Sequence, residues 1–224
     1  MTTAAVILAA GSGSRLGADV PKALVSLGNK TILDWSVGTF ADHPGIDALV
    51  VVGPPAATAA IAATLPAGAQ VVPGGATRQE SVGRGLAALG DEVEFVLVQD
   101  AARPLVPALV ISRVLDELAA GAEAVVPVLP VTDTIRQLDD GGQVIATPER
   151  SRLRRVQTPQ GFRLEILRSA HAAAAERGAT GEVTDDAGLV EALGHRVRTV
   201  PGADAGFKIT SRQDLRLAEL LVSS

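Results

Sequence analysis

Cysteine is absent from this chain, which removes disulfides, thiolate nucleophiles and zinc–thiolate sites from consideration. Aromatic residues are scarce at 2%, so a hydrophobic content of 47% has to be met by Ala, Val, Leu and Ile, and the expected core is aliphatic. No apolar run approaches the ~18 residues of a membrane-spanning helix. The short N-terminal apolar run has no basic leader and passes into a glycine loop, so it does not read as a signal peptide, and a cytoplasmic location is expected. The net charge of −5 supplies no positive field that would recommend nucleic acid as a partner. Lysine is also rare: of 20 basic residues only Lys22, Lys30 and Lys208 are lysines. A chain that prefers arginine this strongly keeps lysine where a compact ammonium is useful, unless these three are simply a remainder.

What is present points to one α/β domain over all 224 residues, long enough to bury a real core. Apolar runs at Val6–Ala9, Asp47–Val52, Ala69–Val72, Glu94–Val98, Ala124–Leu129 and Arg196–Val200 read as strands. Helical patterns fall at Thr31–Phe40, Ala56–Thr64, Thr77–Leu89, Val106–Ala119, Arg163–Arg177, Asp185–Leu193 and Ser211–Val222. Thr31 and Thr77 are the expected caps of their helices, with Glu80 at capping-box spacing from Thr77. Strands that are apolar throughout, alternating with helices, predict an α/β fold with a mostly parallel sheet covered on both faces. The pattern breaks near Thr132. Asp133–Leu138 and Gln143–Thr147 flank Asp139-Asp140-Gly141-Gly142, a hairpin-turn signal in a polar stretch with little to bury. This predicts a β-hairpin arm, at about 132–158, protruding from the domain.

The first strand runs into Ala9-Ala10-Gly11-Ser12-Gly13-Ser14-Arg15-Leu16-Gly17, followed by Pro21-Lys22. Glycines let backbone N–H groups approach phosphate, and Arg15 and Lys22 can neutralise its charge. The stretch is not a Walker A loop, because Ala18 follows Gly17 where Lys and Ser/Thr are needed. Nor does it have the dinucleotide spacing, and Pro21 stops it from winding straight into a helix. A triphosphate wrapped by a long open loop fits better than NAD; a plain surface turn is the alternative.

Three further segments carry polar chemistry. Gln99-Asp100-Ala101-Ala102-Arg103-Pro104 ends a central strand, at the edge where open α/β sheets bind ligands. Asp100 there can accept a ribose hydroxyl or help hold a metal–phosphate unit, or pair with Arg103 as a structural clamp. Gly74-Gly75 leads into Thr77, Arg78 and Ser81, where backbone groups and Ser81 can read a base edge or merely cap a helix. Arg150, Arg152, Arg154 and Arg155 crowd the end of the arm without the aromatics of a nucleic-acid surface, which suits a small anion, a partner subunit or plain solvation. His43, His171 and His195 are scattered without metal-ligand spacing, and Thr184-Asp185-Asp186 reads as a helix cap.

In order along nearly the whole chain, these segments resemble the 2-C-methyl-D-erythritol 4-phosphate cytidylyltransferase family. The matching pieces are the Ala9–Arg15 loop, Pro21-Lys22, Gly74-Gly75 with Arg78 and Ser81, Asp100-Ala101-Ala102-Arg103-Pro104, Asp133-Thr134, Thr158-Pro159-Gln160, Thr184-Asp185-Asp186 and Phe207-Lys208-Ile209-Thr210. The resemblance implies CTP across Ala9, Ala10, Gly11 and Gly13, its base near Gly75 and Ser81 and its ribose near Asp100 and Ala101. It implies Arg15 and Lys22 at the reacting phosphates, with Mg²⁺ held mainly by the triphosphate and Asp100 as a possible protein ligand. It implies a Rossmann-like mixed sheet and a homodimer in which Thr134, Arg150 and Thr158, from the partner's arm, bind the sugar-alcohol phosphate together with Arg103 and Lys208. Arg150 and Lys208 are thereby counted with Arg15 and Lys22 as catalytic. Position 76 is Ala where some relatives carry an acid beside the base, so any base contact there has to come from backbone. Two other readings remain at this point: a ribitol 5-phosphate cytidylyltransferase, differing only in its acceptor pocket, and a nucleotide-binding module without chemistry.

Overall fold

The computed structural model describes residues 1–11, 20–176 and 185–223. Its centre is β1 (Thr2–Leu8), where Ala4, Ala5, Val6 and Ile7 have no exposed surface. Strands cover both edges of β1: it pairs in parallel with β4 (Ala48–Gly53) and with β6 (Val93–Asp100). β5 (Gln70–Pro73) extends the sheet beyond β4, also in parallel. On the other side, beyond β6, lie β11 (Gln160–Arg163) and then β7 (Ala124–Pro130), with β12 (Val197–Pro201) parallel to β7. β10 (Arg154–Val156) also pairs with β7. Both β10 and β11 run antiparallel to their neighbours, so the sheet is mixed.

The strand alternation sorts side chains onto two faces. Val6, Val50, Val52, Val96 and Val98 pack against Val82 and Leu86 of α3 (Arg78–Ala87) and against Leu167 and Ala170 of α5 (Leu164–Glu176). Ile7, Val51, Leu97 and Val125 face Leu33, Val37 and Phe40 of α1 (Ile32–Ala41) and Ile111, Val114 and Leu118 of α4 (Ala108–Ala119). The core is aliphatic as expected. α3 seats very close to the sheet, because Gly85 leaves room: a Cβ there would stand 2.5 Å from Val6 Cγ1. That close seat brings the N-terminus of α3 to the carboxyl ends of β1 and β6.

A third, smaller cluster lies at the same end. Leu27 and Ile32 from a short hairpin, β2 (Ser26–Leu27) and β3 (Lys30–Thr31), and the residue after it, meet Ile209 and Ala218 of α7 (Arg212–Val222) and the loop before it. α2 (Thr58–Ala62) and α6 (Asp186–Glu191) complete the helices of the described residues. No helix among them is long and apolar enough to cross a membrane.

Most expected elements form. Thr31 caps α1 in a reciprocal capping box with Asp34. Thr77 caps α3, but Glu80 bonds to the Ala76 amide instead of completing the box at Thr77. Sequence periodicity missed β2, β3, β10 and β11. These strands are short, and their pairing partners are distant in sequence or were read as loop. The hairpin arm forms β8 (Gln137–Leu138) and β9 (Val144–Ala146), closed by Asp139, whose Oδ1 accepts from Gln143 N at 2.8 Å. Its protruding part ends before the expected limit of 158: Arg154–Val156 has rejoined the main sheet, and Gln157 and Thr158 are buried.

Candidate active site

At the carboxyl edge of the sheet the chain leaves β1 toward α1 and β4, and leaves β6 toward α4 and β7, on opposite sides. Leu8 and Asp100 are register partners at this divergence. A switch point of this kind leaves a crevice between the departing loops. Here it is a cleft of about 500 Å³, lined by Leu8, Ala9, Ala10, Gly11, Lys22, Ala23, Gly75, Ala76, Thr77, Arg78, Ser81, Asp100, Ala101, Ala102, Lys208 and Thr210. Thus Ala9, Ala10, Gly11, Lys22, Gly75, Ser81, Asp100, Ala101 and Lys208 come together as the sequence implied. Gly13 and Arg15 lie outside the described residues.

Short backbone ties hold the walls. Ala9 N donates to Val52 O and Ala101 N to Leu8 O, so both loops leave the sheet in fixed directions. Gly74 packs against the first loop so closely that a Cβ would fall 2.3 Å from that of Ala10. Arg84 donates to Gly74 O at 2.7 Å, and Ser81 Oγ accepts from Gly75 N while donating to Thr77 O. Ser81 therefore shapes the Gly74-Gly75 turn as well as facing the cleft. The Ala76 amide, the backbone group to which base contact was assigned, already donates to Glu80.

The opposite wall joins two motif loops. Ile209 is fully buried and its N–H donates to Ala102 O at 2.8 Å, which places Lys208 at the cleft. Arg103 donates to Gly206 O at 2.9 Å and to Val156 O at 3.4 Å. Arg103 is the clamp between these loops, acting on carbonyls and not on Asp100, and it is not among the residues lining the cleft. Thr158 is likewise internal: its Oγ1 donates to Gln99 and accepts from Asp100 N. Assigned to an arm and to the acceptor, Thr158 instead supports the backbone at Asp100 inside its own subunit. The two glutamines around Pro159 act similarly. Gln157 bonds both the N–H and C=O of Ala203, and Gln160 reaches Asp185 and Ala187 N.

Electrostatics centre on Asp100. Lys208 Nζ lies 2.7 Å from its Oδ2, and Arg78 Nε lies 3.6 Å from its Oδ1. Burial opposes ionisation of Asp100, but the charges of Lys208 and Arg78, the Lys208 hydrogen bond and the charge of Arg103 outweigh it and hold the carboxyl below the usual range. Arg78 in turn reaches Asp186, with NH1 2.8 Å from Oδ2, and Asp186 Oδ1 lies 2.9 Å from His171 Nε2. Burial works against the charge on Arg78, yet Asp186 and Asp100 together hold its pKa above the ordinary value. Burial also lowers the pKa of Arg103, offset in part by Asp100. Sequence reasoning gave His171 and Asp186 no site role. Asp185 does cap α6, but Asp186 turns inward, and no sequence spacing links residues 78, 171 and 186.

The arm carries the remaining assigned residues elsewhere. Thr134 is exposed, and Arg150 donates to Thr132 O at the arm's base, beside a second hollow of about 530 Å³ with Arg154. They do not line the cleft of their own subunit. The described residues contain no cluster of three metal-ligating side chains. Asp100 is the one carboxylate among the described cleft-lining residues, so the described walls do not build a metal cage of their own.

The chain as a whole is similar to known proteins. The chain is 50% identical over 218 residues to the 2-C-methyl-D-erythritol 4-phosphate cytidylyltransferase of Rhodococcus jostii, covering 97% of this chain and 94% of that protein. Its fold is similar to the crystal structure of the enzyme of the same name from Thermus thermophilus, with a TM-score of 0.81, 41% identity and full coverage of both chains. It is also similar to the 4-diphosphocytidyl-2C-methyl-D-erythritol synthase of Anaerococcus prevotii, with a TM-score of 0.88, 26% identity and coverage of 100% and 99%. The model of the IspD family, 2-C-methyl-D-erythritol 4-phosphate cytidylyltransferase, matches residues 3–224, and this chain belongs to that family of cytidylyltransferases.

Proposed function

We propose that this chain transfers the cytidylyl group of CTP to 2-C-methyl-D-erythritol 4-phosphate, releasing pyrophosphate and forming 4-diphosphocytidyl-2-C-methyl-D-erythritol, a step toward isoprenoid precursors. The observation that carries the reading is the convergence of Lys22, Lys208, Arg78 and Asp100 on one cleft at the sheet's switch point. In-line attack by the acceptor's phosphate oxygen on the α-phosphorus forms one P–O bond as the bond to pyrophosphate breaks. No side-chain nucleophile is needed. Two anions must meet, so catalysis is positioning and charge neutralisation. Lys22 faces the phosphates, with Arg15 assigned beside it. Asp100 accepts a ribose hydroxyl, Gly75 and Ser81 flank the base, and Lys208 turns toward the acceptor phosphate. Mg²⁺ bound with the triphosphate would supply further neutralisation, and among the described cleft-lining residues Asp100 is the carboxylate that would help hold it.

We further propose a homodimer in which Arg150 and Thr134 of one protomer complete the acceptor site of the other. Ile135, Leu138, Val144 and Ile145 of the arm are all exposed, which supports an apolar contact there. Both substrates are small phosphorylated anions, which suits a cytoplasmic enzyme. The test is CTP-dependent pyrophosphate release, followed by phosphorus NMR, with methylerythritol phosphate and ribitol 5-phosphate as competing acceptors. Preference for ribitol 5-phosphate would move the assignment to the other cytidylyltransferase, and no release with either would leave only a binding module.

A further inference from the structure

Asp100 presents its two carboxylate oxygens unequally. Oδ2 takes Lys208 at 2.7 Å. Oδ1 faces Arg78 Nε at 3.6 Å, beyond hydrogen-bond distance, and accepts no hydrogen bond from the described residues. An arginine beside a carboxylate ordinarily closes to a fork at roughly 2.7–2.9 Å. Arg78 does not: on its other side NH1 lies 2.8 Å from the buried Asp186 Oδ2, in an ion pair not aligned as a hydrogen bond. Asp186 is buried, begins α6, and is held by His171 Nε2 on its second oxygen at 2.9 Å. The charged and polar groups around this series are Asp185, which caps α6 and bonds Gln160, and Lys208 beyond Asp100.

We propose that Asp186 and His171 are positioning residues for sugar recognition. By drawing Arg78 back, they leave Asp100 Oδ1 open as the acceptor for a ribose hydroxyl of the nucleotide. This rests on the reading above that Asp100 receives the ribose. With Asp186 neutralised, Arg78 swings to Asp100 and pairs with Oδ1. The hydroxyl then loses its acceptor, while triphosphate contacts at Lys22 stay as they were. The deficit falls on CTP and spares nucleotides that lack the hydroxyl. A site built around a hydroxyl discriminates strongly against its absence, so the loss of that acceptor is read as lost discrimination.

The experiment measures kcat/KM for CTP, 2′-deoxy-CTP and 3′-deoxy-CTP with a fixed acceptor, in the wild type and in Asp100→Ala, Asp186→Asn, Arg78→Lys and His171→Gln. The expected result is that Asp100→Ala, which has no side-chain acceptor, removes the wild-type preference for CTP over one deoxy analogue. Asp186→Asn then lowers the same preference by about tenfold or more, with KM for the acceptor unchanged. His171→Gln, whose amide still donates to Asp186, lowers it less. If Asp186→Asn is unfolded by circular dichroism, Arg78→Lys decides by the same ratio, since one ammonium cannot span both carboxylates. Equal losses for CTP and its deoxy analogues in Asp186→Asn or Arg78→Lys overturn the inference while leaving the ribose assignment standing. An unchanged ratio in Asp100→Ala overturns the ribose assignment itself, and the inference with it.

Discussion

The cleft and the arm are built in opposite ways. Around the cleft, loops far apart in sequence are tied across one another: Arg103 to Gly206, Ile209 to Ala102, Thr158 to Asp100, Arg78 to Asp186. The arm, by contrast, is held by its own neighbours, through Asp139 to Gln143, Arg136 to Thr147 and Arg150 to Thr132. It exposes aliphatic side chains and arginines together. The described walls of the cleft are therefore tied together within one subunit. The arm holds Arg150 in place by a carbonyl, and no ion pair engages its guanidinium among the described residues.

Substitutions put that contrast to the test. The largest effect is expected inside the cleft. Lys22→Ala should keep the fold and lower kcat by on the order of 10²–10³, as for loss of one preorganised charge donor; steady-state kinetics with unchanged circular dichroism checks it, and an unaltered kcat removes Lys22 from the chemistry. On the arm, Arg150→Ala should raise KM for the sugar phosphate by about tenfold, worth ~1.4 kcal/mol, with little change in KM for CTP. Mixing Arg150→Ala with Lys22→Ala protomers should recover activity if the arm serves a neighbouring subunit, and a mixture no more active than either parent would place Arg150 in its own protomer's site.

The clamp is next. Arg103→Leu leaves the carbonyls of Gly206 and Val156 without their donor, at a cost of about 1–3 kcal/mol, and loosens the loop that carries Lys208. Urea unfolding should show the loss, and acceptor KM should rise with it. Stability intact with KM alone raised would return Arg103 to direct substrate binding.

The smallest expected effect is at the start of α7. Burial disfavours the charge on Asp214, but hydrogen bonds from Thr210 and Ser211 prevail and bring its pKa from 3.8 down to about 2. A carboxylate with a depressed folded-state pKa stabilises fully above its unfolded pKa and loses that stabilisation as pH falls toward the folded value. Asp214→Asn should therefore lower stability near neutrality by a cap's worth of about 1 kcal/mol, read as a fall in Tm. The gap to the wild type should close as pH falls from about 3.8 to about 2. A gap that stays constant through this window would deny the carboxylate its role.

Much of this architecture is legible along the chain. The apolar runs at Val6, Val50 and Val96 read as buried strands, and Thr31 with Asp34 as a helix start, and both form. The failed Walker and dinucleotide spacings around Gly11 and Pro21 favoured a long loop over phosphate, and residues 12–19 of that loop lie outside the described residues. The short strands were not legible. Gln160–Arg163 is four residues long, and it is a strand only because β6 and β7 supply hydrogen bonds on both sides. Thr158 and Arg103 carried strong motif signals, yet those signals cannot separate a side chain that touches a ligand from one that holds the loop touching it.

Fold class, the aliphatic core and the sheet edge that carries the cleft follow from periodicity, caps and local spacing, and the family from the resemblance of short motifs, each spanning a few residues, so the chain alone was enough for them. It took the folded molecule to establish that Arg78 stands between Asp100 and Asp186, that His171 lies behind them, and that Arg103 spans to Gly206. Those relations join side chains separated by up to 108 residues, as for Lys208 and Asp100. They arise from packing α3, α5 and α6 onto one sheet, and no local preference along the chain encodes them.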